Sequence, residues 1–187
     1  MSGFAERIEK IRELATKLGL ESIVLRRNPN LAWVIAGRVH VPLTLDLACF
    51  DLVITKNKVL AITNAIEAPR LIAEEFLKEI EVEIVNWWEG RDPKLPTGSS
   101  VGCDQPGNDR KEIGAEIERL RQSLVAEDVQ RFKDVCKDSA IALGNAVKGA
   151  TASDREIDVT ARIADSLWRH NLELVFIGVA GADRVRK

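Results

Sequence analysis

Apolar positions recur at helical spacing from the start of the chain. Phe4, Ile8, Ile11, Leu14, Ala15 and Leu18 fall on one face of "FAERIEKIRELATKL", with charged residues between them. Gly19 stands where a left-handed helix end belongs, and "SIVLR" after it reads as a buried strand. The polar, turn-like "RNPN" leads into "LAWVIAG", which is too short to assign to helix or strand. In "LACFDLVITKNKVLAIT" two apolar, β-branched runs flank "KNK", the pattern of an antiparallel hairpin. Asn64 is placed to cap a helix over "AIEAPRLIAEEFL", and "IEVEIVNWW" alternates like a further strand.

The Pro/Gly/Ser-rich "GRDPKLPTGSS" reads as a surface loop and "VGCD" as a short strand, with "QPGND" starting the next helix. Helical pattern runs through "RKEIGAEIERLRQSL" and again from "AEDVQRFKDVCKDSAIALGNAV", with Ser123 or Asp128 as candidate caps between them. The turn "KGATAS" precedes a third helix, "DREIDVTARIADSLWRHN". A closing strand is expected over Leu172–Ile177. Helices and strands alternate up to about residue 123, and two helices and one strand follow. We therefore place domains at 1–122 and 123–187. The second piece buries little apolar surface by itself, and its strand would expose an unpaired edge. It is expected to lean on the first domain, to pair with another chain, or to be mobile.

Composition narrows the function classes. At 45% hydrophobic and 30% charged residues the chain has the balance of a soluble globular protein. A net charge of −2 gives no global field toward nucleic acid or an anionic membrane. The basic end, Arg184, Arg186 and Lys187, reads as a solvated tail. No apolar signal core opens the chain and no run reaches membrane-spanning length. Cys49, Cys103 and Cys136 are dispersed without metal-ligand spacing, which points to reduced thiols and a cytoplasmic location.

Candidate chemistry is sparse. "GVAGAD" has the wrong spacing for a phosphate loop and lacks the helix that would follow one. His170 falls at a helix C-terminus, where an imidazolium suits the dipole. His40 lies in a loop near Asp46, with no convergent set of metal ligands. Ser99 and Ser100 lack a nucleophile-elbow context. Of the adjacent Trp87 and Trp88, alternation along a strand sends one to the core and the other to the surface. The residues themselves show no catalytic constellation.

The order of segments is more telling than any single motif. "NLAWVIAG" follows the first helix and strand, "RQSLVAEDVQRFKDVCKDSA" enters the second domain, and "KGATASDREI" forms a turn before its second helix. This order resembles the creatinase/prolidase/aminopeptidase P family of metallopeptidases, with Trp33 near the aromatic position of the first motif. The turn motif departs from the family's pattern in lacking a proline. The resemblance implies an α/β fold: a creatinase/prolidase-type N-terminal domain, with a mixed sheet flanked by helices, followed by an incomplete pita-bread α+β segment. It implies an Xaa-Pro aminopeptidase or dipeptidase as the parent activity, a peptide substrate, a homodimer, and two divalent metals (Mn, Co or Zn) in a full-length relative. The family's ligands, two aspartates, a histidine and two glutamates, are expected beyond residue 187, so no catalytic or metal residue carries over. Asp46, Asp51, Asp104 and Asp183 do not replace them. The chain is then expected to position substrate and make oligomer contacts without catalysing alone. The loop carrying Trp33, Arg38 and His40 is the candidate substrate-proximal or interface segment. The competing reading is a non-catalytic peptide- or protein-binding module of peptidase-like fold.

Overall fold

The computed structural model describes residues 2–42, 44–105, 107–181, 184 and 185, and divides into two units, Met1–Val125 and Ala126–Lys187. In the first unit α1 (Gly3–Leu18) is capped by the Ser2 hydroxyl, which accepts from the Ala5 N–H. It ends on Gly19, whose positive φ of 68° aims two N–H bonds at the Ala15 and Thr16 carbonyls. Strand β1 (Ser22–Arg27) leads directly into α2 (Asn28–Ile35), so the ambiguous "LAWVIAG" is largely helix. Pro29 near its start supplies a preset φ, and Ala36 closes it in the left-handed region.

The expected hairpin is present as β2 (Leu47–Thr55) and β3 (Val59–Asn64), paired from Phe50↔Thr63 to Ile54↔Val59. The helix expected after Asn64 is shorter than its pattern. A turn of helix, α3 (Ala68–Arg70), loosens into a wider turn over Leu71–Glu75. Asn64 does not cap this helix, whose N-cap is Glu67 with no side-chain bond; its Oδ1 instead accepts from the Ile66 and Glu67 N–H groups in the turn before it. Strand β4 (Glu81–Val85) stops before the two tryptophans, which fall in a turn and are both exposed, Trp87 at 63% and Trp88 at 66%. Their expected core–surface split fails because strand alternation ends at Val85.

Beyond the loop come β5 (Val101–Cys103), the two-residue β6 (Lys111–Glu112) and α4 (Gly114–Arg121). The helix expected from "QPGND" thus starts later, after the chain has added an edge strand. The six strands run in the order β4-β3-β2-β1-β5-β6, and every neighbour pair is parallel except those involving β2.

Both faces of this sheet are covered, which is why its strands read as near-continuous apolar runs. Ile23, Leu25, Leu52 and Ile54 pack on one face with Ile8 and Ile11 of α1, Leu31 and Val34 of α2 and Ile117 of α4. Val24, Val53, Ile62, Val85, Val101 and Cys103 form the core of the other face with Leu95. Gly102 lets the first layer close onto β5: a Cβ there would stand 2.7 Å from Leu20 Cδ1 and 2.8 Å from Ile113 Cδ1.

In the second unit α5 (Ala126–Lys148) and α6 (Glu156–Arg169) form an antiparallel hairpin. The Ser166 hydroxyl donates to the Ala142 carbonyl at 2.8 Å, and Arg162 lies against Gly149 near the turn. Residues 172–181 form no strand ladder among the described residues, so the strand expected at Leu172–Ile177 is absent, and the segment leaves α6 with the Leu172 N–H bonded back to the Leu167 carbonyl at 3.0 Å. Val175 and Phe176 are correspondingly exposed. The chain then returns to the start of α6, where Glu156 accepts from the Gly181 N–H and pairs with Arg184 at 2.6 Å. Arg184 is solvated as expected, its side chain 74% accessible, and carries this one exposed ion pair. Asp183, Arg186 and Lys187 lie outside the described residues.

Candidate functional site

The parallel strands β1, β3, β4 and β5 end at one edge of the sheet, and β2, running the other way, begins there. Open α/β sheets bind ligands outside the carboxyl ends of their strands, so this edge is the natural place for a site. Three clefts lie along it. The first, of about 430 Å³, is lined by Asn28, Pro29, Ala32, Val39, His40 and Asp46 among others. The second, of about 330 Å³, shares Leu45 with it and adds Val41, Cys49, Ile66 and Arg91. The third, of about 370 Å³, shares Asn64 and Arg91 with the second and extends to Asn86, Trp87 and Asp92. Shared walls make them one groove. Val41, Leu45, Ile66 and Trp87 line it and are all exposed large apolar side chains.

A charge cluster fixes the floor. Asp51, fully buried on β2, accepts from Arg26 Nε at 3.0 Å on one oxygen and from Arg91 Nε at 2.7 Å on the other. Arg91 also donates to the Ala48 carbonyl at 2.9 Å, and Arg26 reaches Asp92 at 2.8 Å. Burial opposes the Arg26 charge, but Asp51 and Asp92 outweigh it and hold its pKa above the ordinary guanidinium value. Asn108 and Arg110 complete the ring around Asp92.

Asp104 plays the corresponding part at the end of β5. Its two carboxylate oxygens take the N–H groups of Arg26 and Arg27 and the side-chain amide of Asn30, at 2.8, 3.1 and 2.7 Å. These are the backbone donors set free where β1 shifts register between Leu25 and Arg27. Burial pushes the Asp104 carboxyl above its usual range, and the Asn30 amide and the two backbone donors pull it partway back.

The sequence-predicted residues separate on this frame. His40 lines the first cleft beside Asp46. Trp33 is on α2, packed against the core, and its buried Nε1 has no acceptor among the described residues. Arg38 belongs to the turn after α2, where its N–H donates to Glu75 Oε2 at 2.8 Å and its carbonyl accepts from Arg70. Only His40 of the three lines the groove. Of the groove's own polar residues, Asn64 ends β3, whereas Arg91 and Asp92 lie beyond β4, where sequence pattern carries no period to flag them. Cys49 is buried at the groove wall, its thiol donating to the Val39 carbonyl, and burial pushes its pKa up. That is the environment of a structural thiol, not a nucleophile. Among the described residues no three His, Cys, Asp or Glu side chains converge, so these residues do not fit a two-metal centre.

No family model and no curated protein matches this chain. Solved structures do. The prolidase from Pyrococcus horikoshii OT3 superposes over 88% of this chain and 48% of its own, with a TM-score of 0.69 at 16% identity. A recombinant prolidase from Thermococcus sibiricus matches over 89% and 50%, with a TM-score of 0.66 and 16% identity. The X-Pro aminopeptidase from Thermotoga maritima MSB8 matches over 87% and 49%, with a TM-score of 0.64 and 15% identity. This chain has the α/β fold of the amino-terminal portion of those peptidases and spans about half their length. No helix is long and apolar enough to cross a membrane among the described residues.

Proposed function

We propose that this chain is the amino-terminal portion of an Xaa-Pro-directed metallopeptidase-like protein, and that its job is to position peptide substrate and make oligomer contacts. Chemistry and metals belong to the part of such a protein that this chain does not supply. The observation that carries the reading is the groove along the carboxyl edge of the sheet, in a fold shared with prolidases. Its exposed Val41, Leu45, Ile66 and Trp87 offer apolar contact to side chains or proline rings. Asn64, Asn86 and Arg91 stand among them as partners for peptide carbonyls or a carboxylate.

Titration with short Xaa-Pro peptides, read by tryptophan fluorescence, tests this. Binding is expected without metal and without hydrolysis. Trp87→Ala and Ile66→Ala, both at exposed positions, are expected to weaken it about tenfold together. Stoichiometric Mn²⁺ or Co²⁺ binding with Xaa-Pro cleavage would overturn the division of labour. Equal binding of peptides with and without proline would favour a general peptide-binding module of peptidase-like fold.

A further inference from the structure

The clefts of the groove differ in the hydrogen-bonding capacity that the fold leaves open. Asn64 and Arg91 line both the second and the third and mark where the two meet. The Asn64 Oδ1 is taken by the N–H groups of Ile66 and Glu67, so its open group is the amide nitrogen Nδ2. Arg91 commits Nε to Asp51 and Nη2 to the Ala48 carbonyl, which leaves Nη1. Arg26, on the wall of the third cleft, commits Nε to Asp51 and Nη1 to Asp92, which leaves Nη2. These three nitrogens have no partner among the described residues and none is buried, so all open to solvent.

The carboxylates of these two clefts are already engaged or stand in water. Asp92 takes Arg26 and Arg110 on one oxygen and Asn108 on the other, and Glu67 is paired with Arg70. Glu89 lies on the exposed turn, one of its oxygens taking the Asn86 N–H. Inside the network three guanidinium groups, Arg26, Arg91 and Arg110, face two carboxylates, Asp51 and Asp92. What remains at the junction is a set of donors, two of them on cations. The first cleft is the reverse. Asn28 Nδ2 donates to the Leu45 carbonyl, so Oδ1 is left without a donor among the described residues. Asp46 holds Arg27 on Oδ2 and keeps Oδ1 open. Both residues line this cleft.

We propose that the groove binds a peptide in one direction only, its amino end at Asp46 and Asn28 and its carboxyl end at Arg91, Asn64 and Arg26. The inference rests on the groove being a peptide site and adds the polarity of its ligand. An ammonium group carries only donors and a carboxylate only acceptors, so each end of a free peptide has its complement at one end of the groove. Reversed, the peptide would set its ammonium against guanidinium groups and its carboxylate against Asp46, and this repulsion selects the direction. Between the poles, Leu45 is common to the first and second clefts and Ile66 lines the second, giving the intervening residues apolar contact.

Probes with one free end test each pole separately, by calorimetric titration of the whole chain. N-acetyl-Leu-Pro-Leu is expected to bind about tenfold more tightly than its C-terminal amide. Leu-Pro-Leu amide is expected to bind about tenfold more tightly than the same amide acetylated at its amino end. Arg91→Ala would also strip the buried Asp51 of a partner, so Asn64→Asp carries the test. That change keeps an oxygen for the Ile66 and Glu67 N–H groups and puts a carboxylate oxygen where Nδ2 stood. It is expected to remove the preference for the free carboxylate and leave the preference for the free amine. Asp46→Asn, at an exposed position, is expected to do the opposite. Binding that lacks either preference overturns the polarity and leaves the groove reading standing. So do effects exchanged between the two variants, or preferences that neither variant alters. A chain that binds none of the probes overturns the polarity together with the groove reading.

Discussion

Glu75 occupies the space a side chain on Gly37 would need. Its Oε2 accepts from the adjacent Arg38 N–H at 2.8 Å, and a Cβ on Gly37 would collide with that same oxygen. The other carboxylate oxygen faces Arg70, whose guanidinium also holds the Arg38 carbonyl at 3.2 Å. The turn that leads into the groove-lining segment is thus tied down by one carboxylate and one guanidinium.

Gly37→Ala should therefore loosen this turn without unfolding the sheet. Alanine gains a little from a less flexible unfolded chain but loses a hydrogen bond to a charged acceptor, a net loss of about 1 kcal/mol. Hydrogen exchange at Arg38 is expected to rise while β2 and β3 stay protected. Adding Glu75→Ala to Gly37→Ala should cost much less than the sum of the two changes; strict additivity would show that the two sites do not communicate.

Asp51→Ala should be far more damaging. It leaves Arg26 and Arg91 facing each other across an emptied site with no buried counter-charge, at about 3–5 kcal/mol by urea unfolding. Exposed pairs such as Lys58–Glu81, with side chains 46% and 62% accessible, should cost under about 1 kcal/mol when broken.

The first turn of α6 should respond to acid. Asp158 accepts two bonds from the Arg155 guanidinium and one from the Arg155 N–H, which lower its pKa from 3.8 to about 2. A carboxyl with a depressed folded pKa adds stability that is complete above its unfolded value and lost as pH falls through the folded one. Helix α6 is expected to fray at its start between about pH 4 and pH 2. NMR titration of Asp158 in wild type and Arg155→Ala checks this: the variant's pKa should return toward the ordinary carboxylate value.

Local pattern carried much of the first unit. The β2–β3 hairpin was legible because its strands are adjacent and its turn is polar, and α1 because its apolar face is regular and Gly19 marks its end. The site was much less so. Asp51 meets Arg26 and Arg91 across 25 and 40 positions, and a single sequence holds no signal for such a meeting. The tryptophans were misplaced because alternation was carried three residues past the end of β4. Leu172–Ile177 has the composition of a strand, but composition does not supply the neighbouring strand a ladder needs, and no ladder forms among the described residues.

The Asp104 clasp also bears on the order in which a growing chain can assemble. Its bond to the Arg26 N–H joins residues 78 positions apart, whereas the hairpin pairs residues close in the chain. Short-range pairings close first and long-range ones last, and a ribosome releases residue 104 well after β1 to β4 are complete. Until then the end of β1 has no acceptor for its freed donors. An emerging polypeptide thus holds four paired strands while the far edge of β1 and the core positions of Val101, Cys103, Ile113 and Ile117 are still unfilled, so β5 and α4 close the edge of the sheet and both of its apolar faces in one late step.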